Sequence, residues 1–183
     1  MKKNVFIGVI IVLSFIQCAE KAHQNKPSTQ TSIKMDIDTN NTMINQNKLP
    51  QTEQEWKEIL TEEEYYVLRK KGTERPYTGQ FTDSKNEGIY VCKGCGTELF
   101  KSEAKFDSHC GWPSFYEGIE KNKIKETPDY SHGMVRTEVT CAKCGGHLGH
   151  VFNDGPADKT GLRYCINSIS LGFISKQAYD SLK

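Results

Sequence analysis

Almost no net charge is left on this chain: 24 Lys and Arg stand against 23 Asp and Glu, a formal +1. No Lys/Arg-dense run breaks that balance. Nucleic-acid binding needs a basic patch or stripe, so that function class is set aside. Apolar residues are scarce, at 36% of 183 residues, which leaves part of the chain outside any packed core. A comfortable membrane-spanning run is missing too. Val5 to Ile16 is almost unbroken apolar sequence after the basic start Met1-Lys2-Lys3-Asn4, but it has only the length of a signal-peptide core. Ala19 to about Gln51 contains no aromatic residue and is heavy in Asn, Gln, Thr, Lys and Ser. Such a stretch cannot bury enough apolar surface to offset its ordering entropy.

These absences organise the N-terminus. Cys18 directly follows the apolar run, where a bacterial lipoprotein signal carries the cysteine that becomes acylated. Phe15 and Gln17 occupy the places where such a box usually has Leu and a small residue. Residues 1–18 are therefore expected to be a signal peptide with Cys18 as its lipidation site. An ordinary secretory signal and a retained anchor are the alternatives. Residues 19–51 are expected to be a disordered tether, and residues 52–183 the folded domain. The chain is expected to be exported, as a membrane-anchored lipoprotein facing the periplasm or the cell exterior.

The domain opens with two helix starts. Thr52 with Glu55, and Thr61 with Glu64, have capping-box spacing. The second helix carries Tyr65 and Leu68, ends in Arg69-Lys70-Lys71, and meets a natural stop at Gly72. Beyond Gly72, short runs rich in Val, Ile, Tyr, Phe and Thr alternate with Gly, Asp, Asn and Pro clusters. The runs are Tyr77–Thr82, Gly88–Cys92, Gly133–Thr140, His147–Phe152 and Leu162–Ile169. This is the pattern of antiparallel β, not of βαβ units. A mainly β domain with short N-terminal helices is expected.

Cys92-Lys93-Gly94-Cys95 and Cys141-Ala142-Lys143-Cys144 are two CxxC knuckles, each followed by glycine. A two-residue gap lets one tight turn aim both sulfurs at one ion, and two turns complete the tetrahedron of a closed, structural zinc. Disulfides are the competing reading in an exported chain, but within a CxxC they are strained. The long gap between the knuckles would let the metal tie two distant β segments together.

Cys110 and Cys165 remain. No other cysteine lies within twenty residues of Cys165. Alternation in an extended Arg163-Tyr164-Cys165-Ile166-Asn167 would put Arg163, Cys165 and Asn167 on one face, and a guanidinium beside a thiol favours the thiolate. A buried, inert cysteine is the bland alternative. Cys110 sits in a Gly/Pro loop with Trp112 beside Pro113. In a regular strand His147 and His150 would face opposite ways, so a bend at Gly149 is required to make them converge.

From about Trp56 to Phe173 the chain resembles the B-type methionine sulfoxide reductases, which act on the R epimer. The residues carrying the resemblance are both knuckles, Cys110–Phe115 (CGWPSF), Ser131–Val139 (SHGMVRTEV), Gly146–Pro156 (GHLGHVFNDGP) and Arg163–Ser168 (RYCINS). The resemblance implies a fold of two antiparallel sheets held by one structural zinc. It implies Cys165 as nucleophile with Arg163 favouring its thiolate, and Cys110 as the resolving thiol. Trp112 and Phe152 would form the apolar pocket, His147 and His150 would handle the sulfoxide oxygen, and Asn167 would orient the site. Oxidised proteins or peptides would be the substrate, a thioredoxin-like protein the reductant, and the chain a monomer. His109 departs from the family, where a small residue is expected. Two rival readings are a zinc-stabilised binding module, which leaves Cys165, Cys110 and Trp112 without a use, and a general thiol-disulfide exchanger.

Overall fold

The computed structural model describes residues 49–183. The signal peptide, Cys18 and nearly all of the expected tether lie outside the described residues. Among those described, no helix is long and apolar enough to cross a membrane.

Two short helices, α1 (Glu53–Ile59) and α2 (Glu62–Lys70), start on the capping boxes read from the sequence. Thr52 accepts from the Glu55 N–H and Thr61 from the Glu64 N–H, and both glutamates bond back to the cap. The end of α2 differs from expectation. The left-handed residue is Lys71, at φ 57°, while a Cβ at Gly72 would lie 2.1 Å from the exposed Tyr66 ring, which would have to swing aside.

Nine strands follow: β1 (Gly88–Cys92), β2 (Glu98–Lys101), β3 (Lys105–Phe106), β4 (Ser114–Phe115), β5 (Ile124–Asp129), β6 (Arg136–Cys141), β7 (His147–Phe152), β8 (Arg163–Ile166) and β9 (Leu171–Ser175). Helix α3 (Lys176–Asp180) ends the chain. They form two antiparallel sheets, one of order β2-β1-β9 and one of order β3-β4-β8-β7-β6-β5. The mainly β, two-sheet architecture expected from the sequence is present. Gly88–Cys92 and His147–Phe152 match the expected runs, but Tyr77–Thr82 is not a strand. Pro76 precedes it and Tyr77 has φ 64°, a left-handed value that interrupts extended backbone. This segment is an irregular strap.

Aromatic side chains join the sheets. Phe115 of β4 stacks on Phe100 of β2 at 4.3 Å and meets Tyr90 of β1 edge-on at 5.1 Å, and all three rings are fully buried. Contacts of this geometry add about 0.5–1.5 kcal/mol each beyond burial of area.

The sheets are also joined through the knuckles. Cys92 ends β1 in the small sheet and Cys141 ends β6 in the large one. Each chain then turns identically: Gly96 N–H bonds to Cys92 O at 2.8 Å, and Gly145 N–H to Cys141 O at 2.9 Å. Both glycines are left-handed, at φ 70° and 71°, where a Cβ would be costly. The four Sγ atoms lie within 4.8 Å of one another, with Cys92–Cys144 and Cys95–Cys141 at 3.6 Å. Zinc–thiolate bonds of about 2.3 Å set a tetrahedron with sulfur–sulfur edges of about 3.8 Å. The ligand set fits a structural zinc. The N-terminal helices close over it: Arg69 donates to Cys144 O at 3.1 Å and lies over the Trp56 ring.

Candidate active site

Register in the large sheet builds the site. Ser114 of β4 stands opposite Cys165 of β8, Cys165 opposite His150 of β7, and His150 opposite Glu138 of β6. Four polar side chains therefore form one row. In the next row Arg163 faces Phe152. Between them Tyr164 and Ile166 turn to the core, where both are buried, as strand alternation requires. Asn167 does not share the face of Arg163 and Cys165. It lies past the end of β8 and is buried; its side chain donates to Leu148 O at 3.0 Å and accepts from the Glu74 N–H at 3.1 Å.

The strands close tightly beside Cys165. A Cβ on Gly149 would lie 2.1 Å from Cys165 O, so only glycine lets β7 approach β8 here. The convergence of the two histidines is brought about by a register shift of β7 against β6, between Val139 and Thr140. The His147 and His150 rings are 5.5 Å apart. The bend is a β-bulge at Leu148 and not at Gly149, which keeps its partner Val139.

Cys110 sits on the loop between β3 and β4, and its Sγ lies 3.4 Å from Cys165 Sγ. Ser108 Oγ donates to Cys110 Sγ at 3.0 Å, with Ser114 Oγ at 3.4 Å. Two thiols this close titrate as a pair and share a proton. The hydrogen bond from Cys165 pulls Cys110 down, against burial, and the two serine hydroxyls assist; its pKa falls to about 4. That same bond, burial and the Cys110 charge push Cys165 well up, and Arg163 only offsets part of this. The expected effect of Arg163 thus has the right sign but does not dominate. Its guanidinium is already engaged, forked onto Asp154 at 2.8 and 2.9 Å and stacked 4.5 Å over Phe152.

Each histidine is tied to a carboxylate that itself holds a cation. His147 Nδ1 bonds to Glu138 Oε1 at 2.8 Å, and Glu138 pairs with Lys71 at 2.7 Å. Burial lowers the pKa of His147, against the pull of Glu138. The neutral ring then keeps its proton on Nδ1, facing the carboxylate. Nε2 is buried with no hydrogen-bond partner. His150 uses its other nitrogen: Nε2 bonds to Asp129 Oδ2 at 2.7 Å, and Asp129 also receives Arg136 at 2.8 Å. Bonds from Ser131, then His150 and the Arg136 charge, hold Asp129 well below the usual carboxylate range.

The Cys110 loop is bolted to the strap. Trp112 Nε1 donates to Glu74 O at 3.2 Å, Tyr77 N–H to Gly111 O at 2.7 Å, and Tyr77 Oη to His109 O at 2.7 Å. His109 is left-handed, at φ 54°, a conformation that favours glycine because any Cβ there costs about 1–2 kcal/mol. Its imidazole is largely exposed and meets Asp107 at 3.2 Å.

Sequence reading brought together Cys110, Cys165, Arg163, His147, His150, Trp112 and Phe152, but not the groups that hold them. Glu138 and Asp154 stood inside motifs already singled out and could have been found as carboxylates near His147 and Arg163. Asp129 and Glu74 lay outside every motif.

Comparison with known proteins gives the family. The SelR domain matches residues 60–175. The peptide methionine sulfoxide reductase MsrB of Methanosarcina mazei is 54% identical over 72% of this chain and 94% of its own length. That of Hahella chejuensis is 58% identical, over 70% and 91%. That of Acinetobacter baylyi is 59% identical, over 68% and 88%. With two knuckles, a thiol pair and two carboxylate-bound histidines on a two-sheet frame, this chain belongs to the SelR-domain family of B-type methionine sulfoxide reductases.

Proposed function

We propose that this chain reduces the R epimer of methionine sulfoxide in oxidised proteins and peptides, using Cys165 and Cys110 in sequence. The Cys110–Cys165 sulfur distance of 3.4 Å carries this reading. The sulfoxide methyl packs against Trp112 and Phe152. The proton shared by the two thiols moves to Cys110, leaving the thiolate on Cys165 beside the Arg163 charge. Cys165 attacks the sulfoxide sulfur while the oxygen gains a proton from solvent, relayed through His150. The unpartnered His147 Nε2 accepts a hydrogen bond from water at that oxygen. Methionine leaves and the oxygen stays on Cys165 as a sulfenic acid. Cys110 sulfur then attacks Cys165 sulfur, its proton goes to the departing hydroxyl, water leaves, and a disulfide forms. Overall, one sulfoxide and two thiols give methionine, one disulfide and water. A dithiol protein of the thioredoxin type restores the thiols by exchange. Zinc supplies a crosslink and, with four protein thiolates around it, has no position for substrate.

A single-turnover assay on resolved epimers of a methionine-sulfoxide peptide tests the reading. Loss of the R epimer alone, with two thiols consumed per turnover, is expected. Consumption of neither epimer by zinc-loaded protein would leave a binding module. Rapid reduction of unrelated disulfides, with no sulfoxide consumed, would leave a thiol-disulfide exchanger.

Titration of the pair gives a second expectation. Because Cys165 is held up by its bond to Cys110, by burial and by the Cys110 charge, removing that charge must lower its pKa. Cys110→Ser should move the midpoint of Cys165 alkylation by iodoacetamide to lower pH. A midpoint that stays or rises would show that the two sulfurs do not share a proton.

The N-terminal sequence supports export and acylation at Cys18. Labelling with a palmitate analogue should mark the full chain and not Cys18→Ala; an unlabelled, cleaved protein would be an ordinary secreted one.

A further inference from the structure

We infer that Glu74, which lies in none of the motifs, is a positioning residue that holds the substrate pocket of this reductase together. The inference rests on Trp112 acting as a pocket wall, as in the proposed function.

Glu74 bonds directly to two separate pieces of the site, the segment Asn167–Ile169 and Trp112, and reaches a third through Asn167. Its carboxylate takes the backbone N–H groups of Ser168 and Ile169, the latter at 3.0 Å. These are the first residues of the short 3-10 turn Ser168–Ser170 that follows β8. Its own N–H donates to Asn167 Oδ1 at 3.1 Å, and its carbonyl accepts from Trp112 Nε1 at 3.2 Å. Asn167 in turn reaches β7 through its bonds to Leu148 O. Glu74 therefore links the Trp112 and Cys110 loop to the end of the Cys165 strand and, through Asn167, to the His147 strand.

Burial raises the pKa of Glu74, and the bonds from Ser168 and Ile169 work against that rise. A carboxylate kept in a half-buried place, with both oxygens used on backbone donors, is a shape requirement as much as a charge. The surroundings leave no slack: a Cβ on Gly79 would lie 2.3 Å from Ser168 Cβ and 3.0 Å from Glu74 Oε1. Further along the strap, Phe81 N–H donates to Ser168 Oγ at 2.8 Å. Glutamine at 74 would keep the size, but it would put an amide N–H₂ against a backbone N–H and release one end of the clasp. The Glu74 backbone would then move away from where Trp112 and Asn167 meet it. The sulfurs, on the paired strand β8 and on a loop held separately by Tyr77, would keep their separation. The consequence falls on substrate binding.

Steady-state kinetics of full-length, zinc-loaded Glu74→Gln on a blocked methionine-(R)-sulfoxide, with dithiothreitol as reductant, test this. KM should rise about tenfold with kcat changed less than threefold, because remote wall contacts bind without taking part in the chemistry. Thr61→Ala removes the N-cap of α2, at the opposite end of that helix from Lys71, and serves as the matched control for lost stability. Its KM should stay within twofold of wild type. A Glu74→Gln KM within twofold of wild type overturns the inference, and so does an equal KM rise in Thr61→Ala at a similar melting temperature. Should Glu74→Gln not accumulate as folded protein, Glu74→Asp, which keeps the charge but not the reach, is judged by the same criteria. Wild-type protein inactive on the R epimer would sink the proposed function itself, a result distinct from any of these.

Discussion

Cys165→Ser should lose at least about 10³-fold in the reduction of methionine-(R)-sulfoxide, because a serine hydroxyl supplies almost no oxyanion at neutral pH where a thiol pair supplies thiolate. The loss should come without a change in melting temperature or zinc content, since the Cys165 side chain is only partly buried and is not part of the core cluster. Cys110→Ser should behave differently. Cys165 keeps its strand, its Arg163 neighbour and both histidines, so a single equivalent of methionine should appear in a burst. Turnover with a thioredoxin-like protein should then stop, because the sulfenic acid has no thiol at 3.4 Å to condense with. A small dithiol that reaches the sulfenic acid directly should restore cycling. The pair of variants is informative because Cys110, not Cys165, carries the more acidic thiol of the reduced pair. If Cys165→Ser stayed active and Cys110→Ser were dead, the nucleophile would be Cys110. Lower pKa alone does not decide this, since intrinsic nucleophilicity falls with pKa. Position beside His150 and Arg163 favours Cys165.

Replacing Cys92 by Ser should unfold the domain rather than retune its chemistry. A structural zinc contributes on the order of 10–16 kcal/mol in apparent terms, and a domain of this size has about 5–15 kcal/mol of net stability. Loss of the metal would therefore remove as much as the fold has. Cys92 joins β1 of the three-stranded sheet to Cys141 at the end of β6 in the six-stranded one, so the metal holds the sheets together at the edge where the N-terminal helices dock. Metal analysis and thermal melts of the purified chain should show zinc content and melting temperature falling together. An unchanged melt with full zinc would mean that the four cysteines do not act as one site.

The sequence alone determined whatever rests on local chemistry. The capping boxes at Thr52 and Thr61, the knuckles and their glycines, and the strands at Gly88–Cys92 and His147–Phe152 were legible because each is decided within a few residues. The zinc was legible because four thiols at that spacing have few other uses. The resemblance carried the remaining site residues, but only as identities.

Tertiary structure decided what depends on register and on long loops closing. Alternation assigned Asn167 to the Cys165 face; instead the chain leaves β8 after Ile166 and turns Asn167 inward, where it braces β7 against the strap. The strap itself looked like a strand by composition, yet Tyr77 adopts a left-handed backbone and bonds across to the Cys110 loop. The sharing of one proton by Cys110 and Cys165 follows from a 3.4 Å approach across 55 positions of sequence, which no window of residues records. Arg163 looked decisive beside Cys165, and only folding showed that Asp154 already holds it. Glu74 has no local signature whatever, because its partners are Trp112, Asn167, Ser168 and Ile169. Hydrogen-bond partners chosen at long range are fixed by the packing of the two sheets, so the groups that hold the site in shape could be read only after the chain had closed on itself.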